Sequence, residues 1–374
     1  MSDTQKHNKP NVPNLRFPEF SGEWHEVALN ELAPNISSGN SKQSDGIYQL
    51  IGSTGIIGTT CKPDYQGKMI LVARVGANAG YINYFDGKCG ITDNTLIVRP
   101  NIQSIDYCKY IYYYLNHIEL NRYVFGSGQP LITGGMLKRI KVSFGSISEI
   151  KKISQFLSLL DQKIAIQNKV IEDLKSLYDV ICQKLYSPND KLGWQEFKYS
   201  DIFTISNERN SRLQYTNVLS ASQEYGMIER GELNIDIKFD AASIKNYKIV
   251  RPNEYVIHLR SFQGGFAYSD KTGICSPAYT ILLPNERLIP SFLKYYFTSI
   301  RFINSLRIVT YGIRDGRSIS VEEFLQLKIA IPSIPEQHHI VNAMQLWEDM
   351  IRIEECHLSN LQKQKQYLLR QMFI

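Results

Sequence analysis

Two aspartates and a lysine come nearest to a reacting constellation in this chain: Pro63-Asp64, then Asp86-Gly87-Lys88. Two carboxylates and an ammonium can hold Mg²⁺ and steady an attacking water, which is the chemistry of a metal-dependent nuclease. Asp-Gly is also an ordinary hairpin tip, with a solvated lysine beside it. The second half of the chain offers no counterpart to the trio, so the turn is the preferred reading. Gly52-x-x-Gly55-x-x-Gly58 lacks the Gly-Lys-Ser/Thr that makes a phosphate loop. No dinucleotide fingerprint occurs, nor the glycine-rich turn and Asn/Asp-Pro-Pro-aromatic tetrapeptide of a cofactor-binding methyltransferase. Glu322-Glu323 and Glu354-Glu355 read as solvated helix charges, and His338-His339 as a solvated face rather than a metal site. No catalytic, cofactor or metal residue is assigned.

Binding chemistry is better represented. Arginine pairs with guanine, asparagine and glutamine with adenine, and lysine, arginine and serine with phosphate. Such residues gather in the loops of the first half: Ser38, Asn40 and Lys42; Ser53 and Thr54; Arg74 and Asn78; Ser127 and Gln129. In the second half they are Asn207, Arg209, Asn210 and Arg212; Arg260, Ser261 and Gln263; Tyr311, Arg314 and Arg317. Each is a DNA-binding candidate, against the alternative of a solvated loop residue. Arg74 and Arg260 both follow a strand and precede a glycine turn, which a structural ion pair explains equally well.

The elements that hold these loops come twice. Ile153, Leu160, Gln167, Leu174 and Ile181 form one seven-residue series, and Ile150, Leu157, Ile164, Ile171, Tyr178 and Leu185 form a second. Two interleaved apolar series are a coiled-coil seam. A copy follows 187 residues later: Ile340, Trp347, Glu354, Leu361 and Leu368. Ser146 with Glu149, and Ser333 with Glu336, are capping boxes that start the two helices. The polar breaks Gln167 and Glu354 would meet in one register-fixing layer if the helices pair antiparallel.

The globular parts repeat as well. KMILVAR (68–74) matches EYVIHLRS (254–261), CGITDNTLIVRP (89–100) matches GICSPAYTILLP (273–284), and Gly22-Glu23-Trp24 matches Gly193-Trp194. Asp86-Gly87 reads as a hairpin turn, NISSGNSK (35–42) as a polar loop, and residues 106–123 and 291–306 as helices. The fold class is α+β: two tandem mixed α/β globules separated by two long helices pairing as an antiparallel coiled coil, an internal pseudo-twofold repeat. The boundaries are a flexible tail at 1–14, a globule at 15–145, a helix at 146–187, a second globule at 188–332 and a second helix at 333–374.

Bulk composition bounds this reading. The chain has 374 residues, 43% hydrophobic and 21% charged, with a formal charge of +6. That length favours two cores, and the mild excess of base permits a nucleic-acid partner without requiring one. Six cysteines without Cys-x-x-Cys spacing point to a reducing, cytoplasmic setting. Neither a signal peptide nor a membrane-spanning run is expected.

Several motifs carry a resemblance over essentially the whole chain. They are Ile147-Ser-Glu149-Ile150, Ile334-Pro-Glu336-Gln337, Leu159-Leu-Asp-Gln-Lys-Ile164, the opening Pro13-Asn-Leu-Arg-Phe-Pro-Glu-Phe20 and the Gly-x-Trp starts. In these the chain resembles the specificity subunit of a Type I restriction-modification enzyme. The resemblance implies that each globule is a target recognition domain reading one half of a bipartite DNA site, with the helices as spacer. It implies two modification subunits docked on the helices, methylating adenine N6 with S-adenosylmethionine. It also implies two restriction subunits supplying ATP-driven translocation and Mg-dependent cleavage. This chain would then be non-catalytic. A helix of about 40 residues spans about 60 Å, enough for half-sites about 34 Å apart. Two other readings stay open: an autonomous nuclease using Asp64, Asp86 and Lys88, and an adaptor that binds only protein.

Overall fold

The computed structural model describes residues 11–124, 130–187, 193–222, 225–232, 241–258, 265–306, 310–311 and 318–374. The chain divides into two compact units. The first contains residues 1–169 and 356–374, the second residues 170–355. This division differs from the boundaries read off the sequence, because each long helix is shared between the two units.

In the first unit, β1 (His25–Ala28) runs into α1 (Leu29–Leu32). Strands β2 (Asn35–Ser38), β3 (Tyr48–Gly52), β4 (Gly55–Thr60), β5 (Tyr65–Ala73), β6 (Ile82–Ile91) and β7 (Thr95–Arg99) follow. Then come α2 (Ile105–His117), α3 (Gly134–Lys138), β8 (Lys141–Phe144) and the long α4 (Ile147–Leu185). The six strands form one sheet in the order β2-β7-β5-β6-β3-β4, in which only β3 and β6 pair parallel. Alternation along β5 and β7 divides their side chains between two cores. Ile70, Val72, Leu96 and Val98 pack under α2 and α4; Met69, Leu71 and Ile97 pack against Ile51, Cys89 and Ile91.

Three expectations change here. NISSGNSK is not a loop throughout, since Asn35–Ser38 pairs with Leu96–Arg99 as an edge strand. Its polar side chains suit an edge, where one side of the backbone faces water. Asp86-Gly87 is not a hairpin tip. It lies inside the β5–β6 ladder, with Gly67 opposite Gly87 and both at positive φ, 102° and 148°. Facing glycines leave that rung of the ladder free of side chains, and beyond it Ile51 and Ile91 share a core with Met69. Residues 11–14 are not a free tail: Asn11 exchanges two hydrogen bonds with Trp24, and Pro13 is buried.

The second unit contains β9 (Gln195–Lys198), β10 (Phe203–Ser206), β11 (Leu219–Ser222), β12 (Gly226–Glu229), β13 (Lys248–Val250), β14 (Tyr255–Ile257) and β15 (Phe266–Tyr268). These are followed by β16 (Gly273–Cys275), β17 (Thr280–Pro284), α5 (Phe292–Phe297), α6 (Ile300–Ser305), β18 (Thr310–Tyr311) and β19 (Ser318–Ile319). Last come α7 (Val321–Gln326), β20 (Lys328–Ile331) and the long α8 (Ile334–Met372). Its main sheet has the order β10-β17-β14-β15. The expected helix 291–306 is broken: Ser299 caps α6 by accepting from Phe302 N, and its own hydroxyl donates to the Tyr296 carbonyl.

One frame recurs in both units. The first strand pairs antiparallel with the last strand before a long helix, His25 opposite Phe144 and Gln195 opposite Ile331. A tryptophan just ahead of that first strand sits by the glutamate in the helix's first turn. Trp194 Nε1 donates to Glu336 Oε1 at 3.1 Å. In the first unit Arg16 takes the equivalent carboxylate, and a Cβ on Gly145 would collide with Glu149 and Trp24 Nε1. Neither long helix contains glycine, and the one proline is Pro335 in the first turn of α8, where no amide donor is needed.

Within each unit the two helices run alongside each other. In the first, Ile150, Ile153 and Leu157 of α4 share a core with Leu368 and Met372 of α8, and Asp161 pairs with Lys365 at 2.5 Å. In the second, Tyr178, Ile181 and Cys182 share a core with Ile340 and Met344, and Lys175 pairs with Glu355 at 2.7 Å. Rising numbers on α4 accompany falling numbers on α8 in both. Of the expected seam, Ile153, Gln167, Leu361 and Leu368 are buried in the first unit and Leu160 is half-buried. In the second, Ile340 is buried and Leu174, Ile181, Trp347 and Glu354 are half-buried.

Candidate nucleic-acid interface

In the first unit, backbone hydrogen bonds gather the predicted loops around the turn Thr92–Asn94, which joins β6 to β7. Gly39 N reaches Thr95 O at 3.0 Å and Ser41 N reaches Ile91 O at 2.8 Å, tying in Ser38, Asn40 and Lys42. Thr92 N bonds Ile51 O at 3.0 Å, bringing up the tip Ser53-Thr54 between paired Gly52 and Gly55. Arg74 N bonds Asn94 O at 2.9 Å, and the Gly76–Gly80 turn that carries Asn78 closes through Gly80 N to Ala73 O. Ser38, Asn40, Lys42, Thr54 and Asn78 are exposed; Ser53 and Arg74 are half-buried. Asn40 Oδ1 accepts from Tyr65 OH at 2.9 Å, which orients its amide. Ser127 and Gln129 lie outside the described residues.

The turn itself was not among the sequence candidates. Asp93 and Asn94 are exposed at the centre of the cluster. Their signal in the sequence is Thr-Asp-Asn, a polar interruption between two apolar runs.

In the second unit, Asn207, Arg209 and Arg212 are exposed, whereas Asn210 is buried at 1% exposure. Asn210 Nδ2 donates to Tyr215 O at 2.8 Å and its Oδ1 accepts from Tyr215 N at 3.1 Å. Both ends of that amide are engaged and the side chain is buried, so Asn210 shapes the loop instead of facing a base edge. Glu208 holds Arg251 in a two-bond fork of 2.7 and 2.8 Å, which draws the Glu208 carboxyl below its usual range. Lys248, absent from the sequence candidates, is 9% exposed and donates to Tyr279 O at 2.7 Å. Burial pushes its ammonium pKa down, and the nearby Arg209 pushes the same way. Tyr311 pairs with Ser318 in the β18–β19 ladder. Arg260, Ser261, Gln263, Arg314 and Arg317 lie outside the described residues.

The nuclease trio does not converge. Asp86 sits opposite Lys68 in the ladder, and Tyr65 sits opposite Cys89. Asp64 therefore lies four ladder positions from Asp86, about 14 Å along the strand, too far for one shared cation. Each carboxylate has a local partner: Ser41 Oγ donates to Asp64 at 2.5 Å, and Lys68 approaches Asp86 at 3.5 Å. Among the described residues no cluster of three metal-binding side chains occurs.

The model of the Type I restriction modification DNA specificity domain matches this sequence twice, over residues 21–176 and 191–363. The chain belongs to the Type I restriction-modification specificity-subunit family. Its two matches give it two target recognition domains, one in each compact unit. The putative type I restriction enzyme MjaX specificity subunit of Methanocaldococcus jannaschii is 22% identical, over 74% of this chain and 69% of that one. The MjaVIII specificity subunit of the same organism is 25% identical, over 80% of this chain and 77% of that one. The EcoprrI specificity subunit of Escherichia coli is 28% identical over a shorter stretch, 39% of this chain and 38% of its own. In fold, this specificity subunit resembles the crystal structure of the S subunit from M. genitalium, with a TM-score of 0.60 at 16% identity, covering 97% of this chain and 99% of that one.

Proposed function

We propose that each target recognition domain reads one half of a bipartite duplex DNA site, and that α4 and α8 set the spacing between the halves. The observation that carries this reading is the repeated frame with unrepeated loops. Strand pairing recurs, and in each unit a tryptophan lies beside the first-turn glutamate of the long helix, while the loops differ in length and residue type. A constant scaffold with variable loops suits two readers of unlike sequences. Base contacts would specify and phosphate contacts would position.

The same helices are the docking surface for modification subunits. With one face of α4 buried in each unit, Leu159 and Ile166 remain 64% and 65% exposed in the first, and Leu177 and Val180 50% and 58% in the second. Exposed apolar residues along a helix face suit a protein partner. Two modification and two restriction subunits complete the assembly, in the cytoplasm. They supply S-adenosylmethionine, ATP and Mg²⁺ chemistry, and this chain is non-catalytic. The separation of Asp64 from Asp86 favours that over an autonomous nuclease.

Exchange of residues 15–145 for those of another specificity subunit tests the reading. Mapped methylated adenines should then show one half-site changed and the other kept. A site changed in both halves, or in neither, overturns it. Gel shifts with modification subunits present that show no sequence preference would favour a protein adaptor instead.

A further inference from the structure

Between β10 and β11 of the second unit, residues 208–214 form a short loop hung on the edge of β13. Ile249 N bonds Glu208 O at 3.0 Å and Asn210 N bonds Tyr247 O at 2.9 Å. The Asn210 side chain then straps the loop to Tyr215, and Leu213 turns it at φ 54° with its N–H on Asn210 O. The loop is therefore held before anything binds.

This fixed loop lines a concavity of about 360 Å³ with Arg209, Ser211, Arg212 and Gln214. Arg209 and Arg212 are exposed and have no ion pair among the described residues. Glu208, the one carboxylate in the lining, is already held by Arg251. The concavity thus presents two uncompensated guanidiniums with a hydroxyl and an amide beside them. A strand of phosphodiesters offers the matching array, anionic oxygens at regular spacing. Adenine is the poorer fit, because Asn210, the amide on this loop that would pair with it, faces inward.

Resting on the reading of this unit as a target recognition domain, we propose that loop 208–214 is a phosphodiester clamp: Arg209 and Arg212 hold DNA backbone phosphates. The loop positions the duplex and does not read its sequence.

The test uses the full chain assembled with its modification subunits. Binding to its own site is titrated across salt concentrations, and methylated adenines are mapped. Each phosphate contact contributes about 0.9 to the slope of log affinity against log salt. R209Q/R212Q should lower that slope by about 1.8 and weaken binding on the order of 30-fold near 0.15 M salt, on specific and unrelated duplexes alike. The slope does not depend on the active fraction, so partial misfolding cannot imitate the effect. R209K/R212K should restore the slope and leave the methylated sequence unchanged, because an ammonium serves a phosphate as a point charge. A changed base preference in one half-site with the lysine pair would show that these arginines read guanine, and would overturn the clamp. An unchanged slope in R209Q/R212Q would overturn it as well. If the unaltered complex shows no sequence preference, the recognition reading fails first and the clamp with it.

Discussion

Arg16 grips Glu149 with two hydrogen bonds, Nε to Oε1 at 2.7 Å and Nη2 to Oε2 at 2.8 Å, on a carboxylate whose side chain is only 1% exposed. The remaining donors of Arg16 reach the carbonyls of Gly22 and Ser21. One side chain thus joins the opening segment, the approach to β1 and the first turn of α4. Removing one member of a buried pair leaves the other unpaired, at about 3–5 kcal/mol. Arg16→Ala should destabilise the first unit by about 3 kcal/mol, read as an earlier first transition in urea unfolding. Replacing both residues by methionine should cost less than Arg16→Ala alone. Gly145→Ala should act in the same direction, since its Cβ would meet Glu149 Oε2.

The helices are expected to tolerate deletions by phase rather than by length. Removing three residues turns the remainder of a helix by about 300°, whereas removing seven turns it about 20° short of two full turns. Deleting seven residues from the middle of both α4 and α8 should leave a folded chain. Deleting three from one should not, by circular dichroism melting. If the helices set the spacing, the seven-residue variant shortens the gap by about 10 Å, and mapped methylation sites should lose about three base pairs of spacer.

Leu159 and Ile166 are exposed on α4 and contribute nothing to the core of their own unit. L159E/I166E should change stability by no more than about 0.5 kcal/mol, yet prevent co-elution with modification subunits in gel filtration. Co-elution with an unchanged melting temperature would show that this face is not the docking surface.

Each unit holds a half-buried histidine. Burial lowers the pKa of His117, partly offset by a bond to the Leu369 backbone and by Glu119, and burial alone lowers that of His258. A depressed folded pKa means that the unfolded chain binds the proton first. Stability is therefore full above the ordinary value of 6.5 and declines as pH falls below it. Denaturation midpoints measured from pH 8 to pH 5 should drop, and H117Q and H258Q should each flatten the decline in its own unit.

What was legible in the sequence was what is local. The heptads of α4 and α8 announce themselves because residues seven apart share a helix face, and the capping Ser146 does hold Glu149 N at 3.2 Å. Strands β5 and β7 were readable as apolar runs. What was not legible depends on partners far along the chain. Ile36 is the lone apolar residue of β2, and only the β7 ladder makes that segment a strand. Asp86-Gly87 has a turn's composition, but its pairing with Lys68 and Gly67 makes it the middle of a long hairpin strand. Asn210 looked like a base reader by type and is spent on Tyr215. Nothing in the sequence around Lys248 marks the Tyr279 carbonyl that holds it.

Leu368, Met372 and Phe373 belong to the core around Trp24 and Tyr110, and Leu15 N bonds Gln371 O. A ribosome delivers those residues only after residues 170–355, all of the second unit, have been made. The core begun first is therefore completed only after every residue of the other unit has been made.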